Sequence, residues 1–279
     1  MCRYAVCVLG SACLVAFAEV PPTRAGNFKE TLHGVEIADP YRWLEDQTSA
    51  ETRAWLDAQN VHTKSVLATY AGRDKIKARL LALSRTDRAD IPFARGGRYF
   101  FRKRLTDQEQ YLLVMREPSE SVDRILVDPT AATKDVNTSA NIMDVSMDGK
   151  LMAYGIREGG QDELQVKVLQ VDTREPLRDI LPKRRYLTVS FMPDKSGVFY
   201  TVSGDDKPRV FEHKFGDDPR NDRAIFGEGF GEQHLLVAAV SDDGRYLVIE
   251  VLHGASADRV DVYVKDLQLQ AQSNRSSKT

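Results

Sequence analysis

The sequence predicts a mainly β fold: a partial β-propeller of about four four-stranded antiparallel blades, preceded by a short helical amino-terminal arm. Three observations carry that expectation. Beyond Arg85 the apolar residues recur at every second position instead of every third or fourth. A tight glycine turn precedes a strand-like run four times: Gly96-Gly97 before RYFFR, Asp148-Gly149 before KLMAYG, Ser196-Gly197 before VFYTV and Asp243-Gly244 before RYLVIE. The steps from Gly97 to Gly149, Gly197 and Gly244 are 52, 48 and 47 residues. Sheets repeated at so constant a period bury their faces against one another and cannot do so alone. A pair of stacked sandwiches accounts for the spacing less well.

Taken in order, residues 1–18 read as a secretory signal: Arg3, then a small and apolar stretch from Tyr4 to Phe17, then Ala16-Phe17-Ala18 in the A-x-A shape of a cleavage site. That implies an exported protein, periplasmic or secreted. Cys2, Cys7 and Cys13 all fall inside this leader, so no thiol remains for a disulfide framework, a zinc site or a nucleophile. Residues 19–85 are read as a linker and the helical arm. Pro21 and Pro22 exclude helix from the run EVPPTRA. Thr48 and Glu51 suggest a capping box before a helix bearing Ala54, Trp55, Ala58 and Val61 on one stripe. Gly72 breaks it, and Ile76, Leu80 and Leu83 mark a second helix. Residues 86–267 hold the blades, each with a short strand before its glycine turn and a third after the second. The first three units continue into a fourth apolar run near Ile125, Leu177 and Ala224. Glycine at the turns is read as supplying φ > 0 in every unit. The last unit stops after its third strand, and residues 268–279 are a polar tail.

Composition bounds the chemistry. With 39 Lys and Arg against 41 Asp and Glu, no basic field exists to gather nucleic acid or an anionic membrane. The five histidines, His33, His62, His213, His234 and His253, show no metal-ligand spacing, and neither a metal nor a cofactor is expected. Gly254-Ala255-Ser256-Ala257-Asp258 lacks the last glycine of a nucleophile elbow and lies between two predicted strands, so Ser256 reads as a hairpin loop. No histidine follows it to complete a Ser, Asp, His order. The pairs Asp205-Asp206, Asp217-Asp218 and Asp242-Asp243 read as turns, Gly227, Gly229 and Gly231 as a loop between blades, and Lys183-Arg184-Arg185 as a solvated face. No catalytic residue is assigned.

The run Asp39-Pro40-Tyr41-Arg42-Trp43-Leu44-Glu45-Asp46, preceded by His33-Gly34, resembles the opening of the prolyl oligopeptidase family. Together with VSDDGRYLVIEV and the blade pattern, the resemblance extends from about Asn27 to Leu267. It implies the amino-terminal arm and part of the propeller of a serine endopeptidase that cleaves short peptides after proline. In that family an α/β-hydrolase domain holds the catalytic triad and the propeller gates access. No triad position maps onto this chain, which the resemblance therefore implies to be inactive alone. It further implies that Tyr186 stands where an aromatic meets substrate, and that Tyr41, Arg42 and Trp43 anchor the arm to the hydrolase domain, with Arg42 pairing a carboxylate there. The alternative function is a free-standing exported propeller that binds a peptide or protein partner.

Overall fold

The computed structural model describes residues 19–131, 135–203 and 207–268, which form two units divided between Ser84 and Arg85. The expected leader, the Asp205-Asp206 pair and the tail beyond Gln268 lie outside the described residues.

The first unit contains a hairpin that the sequence reading missed. Strands β1 (Lys29–Leu32) and β2 (Val35–Ala38) pair antiparallel, Leu32 opposite Val35. His33 and Gly34 join them with φ of 52° and 82°, the two positive values that a two-residue primed turn requires. A short 3-10 helix follows over Arg42–Glu45. Helix α1 (Ala50–Ala68) begins one residue later than its expected cap: Ser49, not Thr48, accepts the Thr52 N–H on its Oγ at 3.2 Å. Glu51, expected to close a capping box, instead holds Arg24 at 2.6 Å. Helix α2 (Arg73–Ser84) starts after Gly72 as expected, and its Ile76, Leu80 and Leu83 are all exposed.

The second unit is a series of antiparallel sheets. The first blade pairs β5 (Arg98–Arg104), β6 (Leu112–Arg116) and β7 (Arg124–Val127), with β3 (Arg88–Ala89) and β4 (Phe93–Arg95) both on the free side of β5. The strand expected over residues 91–94 is β4, which starts only after Pro92, a residue with no N–H for the ladder, and β3 is a further short strand ahead of it. Blade two runs β8 (Ser139–Val145), β9 (Leu151–Arg157), β10 (Gln165–Gln170) and β11 (Pro176–Ile180). Blade three runs β12 (Arg185–Phe191), β13 (Gly197–Ser203), β14 (Arg209–Lys214) and β15 (Arg223–Phe226). Blade four has three described strands, β16 (His234–Val240), β17 (Tyr246–His253) and β18 (Val260–Asp266).

Alternation along each middle strand decides which neighbour a residue meets. On β9, Met152 packs with Phe100, Leu113 and Met115 of blade one, whereas the next residue, Ala153, packs with Val189, Phe191 and Tyr200 of blade three. On β13, Tyr200 faces blade two and Phe199 faces Leu236, Leu247 and Ile249 of blade four. Among the described residues the core is therefore three apolar seams between four blades, with a fourth, smaller buried cluster of Phe101, Leu112 and Val114 on blade one. Beyond the last seam, Val260, Val262 and Val264 of β18 are exposed.

The glycine turns follow the expectation in blades one, two and four, where Gly96, Gly97, Gly149 and Gly244 have φ between 56° and 76°. Blade three departs from it. There Lys195 takes the left-handed conformation, φ 60°, and Gly197 has no positive φ. Gly197 instead answers a close approach, since a Cβ on it would stand 1.9 Å from the His213 carbonyl oxygen.

Candidate functional site

In the arm, the Asp39–Asp46 motif is a clasp. Asp39 Oδ1 accepts the Tyr41 N–H at 3.1 Å and so turns the chain into the 3-10 helix. Arg42 lies over the Phe28 ring, 4.6 Å from its centroid, and its guanidinium meets Glu30, Asp39 at 3.0 Å and Glu45 at 3.3 Å. Desolvation opposes its charge, yet these carboxylates outweigh that and raise its pKa. The carboxylates that Arg42 pairs with are thus in its own arm, where the sequence reading sought one on another domain. Trp43 Nε1 donates to the Arg24 carbonyl at 2.8 Å, and its ring stands edge-on to Trp55 at 6.3 Å. Trp55 Nε1 donates to Thr23 Oγ1 at 3.0 Å, and Gln59 Nε2 to the Pro21 carbonyl at 2.9 Å. Thr52, buried on α1, donates its hydroxyl to the Trp43 carbonyl at 3.0 Å. The run from Pro21 to Arg24, read as a linker, is thereby fastened along α1. Tyr41 points no such bond inward and is 48% exposed. A groove of about 790 Å³ at the α1–α2 junction is lined by Leu67, Tyr70, Ile76 and Leu80.

Tyr186 belongs to β12, opposite Val202, and the register of that pair shifts between Tyr186 and Val189. Its side chain is outside the described residues. The strand around it is fixed at both flanks. Phe191 N–H donates to Asp144 Oδ2 of β8 at 2.8 Å, while Thr188 Oγ1 and Ser190 Oγ accept the Ala238 and Val240 N–H groups of β16 at 3.0 and 3.1 Å. Burial raises the Asp144 pKa despite these donors and the nearby Arg95.

The remaining motifs are structural. Ser256 sits in the turn between β17 and β18. Asp243 accepts from the Arg245 N–H at 3.0 Å and from the Ser241 hydroxyl at 2.5 Å, and Asp218 accepts from the Arg220 N–H at 3.0 Å, both as turn residues do. Arg185 pairs with Asp162 at 3.2 Å. One cluster escaped the sequence reading. His213, 1% exposed, places Nδ1 2.7 Å from Asp222, and Asp222 accepts the Tyr200 hydroxyl at 2.7 Å. His213 Nε2 faces Asp179 of blade two at 3.5 Å. An Asp–His pair usually invites a search for a nucleophile, but this one is sealed between blades and its hydroxyl partner serves the aspartate. Residues 179, 200, 213 and 222 share no short motif, so only the fold brings them together. Among the described residues no group of three His, Cys, Asp or Glu side chains could hold a metal ion, and no helix is long and apolar enough to cross a membrane.

A fastened arm followed by blades packed seam to seam defines an amino-terminal propeller module. Residues 21–277 match the family model described as prolyl oligopeptidase, N-terminal beta-propeller domain, and the chain belongs to that family. It is 29% identical over 259 residues to the prolyl endopeptidase of Elizabethkingia meningoseptica, covering 89% of this chain and 36% of the relative. To prolyl oligopeptidase A of Galerina marginata it is 24% identical over 280 residues, covering 85% and 38%. A solved structure from a study of two prolyl endopeptidases and their inter-domain dynamics superimposes with a TM-score of 0.77 at 33% identity, covering 89% and 38%. Prolyl oligopeptidase B of Galerina marginata bound to a 35-residue substrate gives 0.70 at 22% identity, a likeness of fold. The chain spans a little over a third of the length of these relatives.

Proposed function

We propose that this chain is the propeller part of an exported serine endopeptidase that cleaves short peptides after proline. Catalysis would reside in an α/β-hydrolase domain outside these 279 residues, and the propeller would control which peptides reach it. The observation that carries the reading is the match of residues 21–277 to the family's amino-terminal propeller. Two structural features support it. The arm offers an exposed apolar face, with Ile76 and Leu80 each 61% exposed beside the groove at α1–α2, which suits it to cover a second domain. In addition, Tyr186 lies on β12, the first strand of blade three, in a strand held by hydrogen bonds from both neighbouring blades. Tyr41, on the arm's exposed side, is the motif residue best placed as an anchor, whereas Arg42 and Trp43 would act indirectly by shaping the arm.

The test has two arms. Purified chain is expected to hydrolyse no proline-containing chromogenic peptide and to take no label from a fluorophosphonate serine probe; covalent labelling of any serine would sink the reading. Substituting residues 21–267 for the matching segment of the Elizabethkingia enzyme is expected to retain cleavage after proline, and a folded but inactive chimera would count against it. Export predicts a mature amino terminus at Glu19, which sequencing the periplasmic or secreted protein checks.

A further inference from the structure

Four side chains converge in the joint between blades two and three: Asp179 of β11, Tyr200 of β13, His213 of β14 and Asp222 just before β15. The Asp222 side chain is 4% exposed, and it accepts the Tyr200 hydroxyl at 2.7 Å. Its Oδ1 also lies 2.7 Å from His213 Nδ1. A carboxylate only accepts, so that nitrogen carries the hydrogen. The other ring nitrogen, Nε2, is buried and has no hydrogen-bond partner among the described residues. It faces Asp179 Oδ1 of blade two at 3.5 Å. Asp179 already reaches into blade three, where it accepts the Gly216 N–H.

With one proton on the ring, Nε2 presents a lone pair to a carboxylate, acceptor against acceptor. A second proton turns the same nitrogen into a donor facing Asp179, and the imidazolium then stands between two carboxylates. No other cation serves them: among the described residues neither Asp179 nor Asp222 has a Lys or Arg partner. The remaining neighbours of the cluster are neutral, the Tyr200 hydroxyl and the Phe215 ring, edge-on to the imidazole at 6.2 Å. Glu212 and Lys214, the charged neighbours along β14, fall on the opposite face by strand alternation, where Arg223 engages Glu212.

We propose that His213 is a proton-operated staple between blades two and three. Charged, the imidazole binds Asp222 of its own blade and Asp179 of blade two together. Neutral, it keeps Asp222 and releases Asp179, so that β11 is held on blade three only by the Gly216 N–H and the apolar seam. The extra hold is present on the acid side and is lost as pH rises. The inference stands on this cluster alone and assumes nothing about catalysis.

The test is hydrogen exchange on the full chain, corrected for intrinsic rates, at about pH 5.5 and about pH 8.5, either side of the range in which histidine changes charge. Peptides covering β11 and Gly216 are expected to lose protection by about tenfold or more on the basic side, the effect of one charge-assisted hydrogen bond. A peptide covering β6, in the seam of blades one and two, should keep its protection. Asp144 of β8 also spans the joint of blades two and three, through the Phe191 N–H, and burial raises its pKa. Asp179→Asn leaves that contact in place and is expected to abolish the pH response at β11. Ring-nitrogen shifts of the histidine-labelled chain need no variant, and so decide the matter even if Asp179→Asn folds poorly. The His213 signal is expected to pass from two protonated nitrogens to one over the same pH interval in which β11 loosens. Protection at β11 that ignores pH overturns the staple, as does a response that survives Asp179→Asn or a ring that titrates without β11 following. None of these readouts involves peptide cleavage, so a failed activity chimera and a failed staple are told apart.

Discussion

Gly197 shows that one residue type can serve the same place in a repeat for different reasons. In blade two, Gly149 accepts φ of 68°, a conformation in which a side chain meets the following carbonyl. In blade three that conformation has passed to Lys195, and Gly197 is retained because the His213 carbonyl leaves no room for a Cβ. The two causes carry different penalties. Gly159→Ala, at a left-handed residue with open space around it, should cost about 1 kcal/mol from backbone strain alone. Gly197→Ala must move backbone against backbone between β13 and β14 and should cost about 3 kcal/mol or more. Urea unfolding followed by circular dichroism measures both; equal costs would show that the close approach relaxes without penalty. The sequence displayed the glycine in each unit but not its reason, because a steric reason belongs to the neighbouring strand and is invisible in the turn itself.

Among the elements, those with a strict period were legible in advance. The middle strands β9 and β13 stand out as nearly continuous apolar runs because both of their faces are buried, β17 alternates because one of its faces is buried more deeply than the other, and α1 announces itself through Trp55, Ala58 and Val61. The hairpin β1–β2 was not legible: its eight strand residues are mostly exposed and carry no alternating burial for a pattern to reveal. The cap of α1 was misplaced by one residue because Thr48 and Ser49 are both capable acceptors, and what selects Ser49 is the position of Thr52, which is buried and tied to Trp43. Ser49→Ala should therefore destabilise the arm by about 1 kcal/mol, and Thr48→Ala by clearly less. The measurement is selective. Both tryptophans of the chain, Trp43 and Trp55, lie in the arm, so their fluorescence reports its unfolding without contribution from the blades.

Across the described blades, apolar residues are committed to seams, and one face of β18 has the residue pattern of a seam with no described strand packed on it. Val260, Val262 and Val264 are 47%, 59% and 62% exposed on one face of β18, whereas Tyr263, on the opposite face, lies tilted against Phe226 with ring centroids 4.8 Å apart. A strand with such a face and an unpaired described edge is a template for association. The chain is expected to self-associate as its concentration rises, and Val262→Lys with Val264→Lys should shift it toward monomer in sedimentation velocity. A monodisperse unmodified chain at the same concentration would refute the argument. The repeated four-stranded blades and the two helices of the arm could be read before any coordinates, since each follows from period or composition. The Asp–His cluster at His213 could not, since it assembles residues from two blades that share no short motif.

The division of labour along β9 has a consequence for how such a chain tolerates insertion and deletion. Neighbouring residues there answer to different blades, so removing one residue would transpose two inventories at once, sending methionine-sized groups into a space shaped for alanine and leaving a void on the other side. Removing two in succession restores parity and spoils only length. Evolution of this architecture should therefore proceed in even steps within strands and in steps of any size within the outer loops.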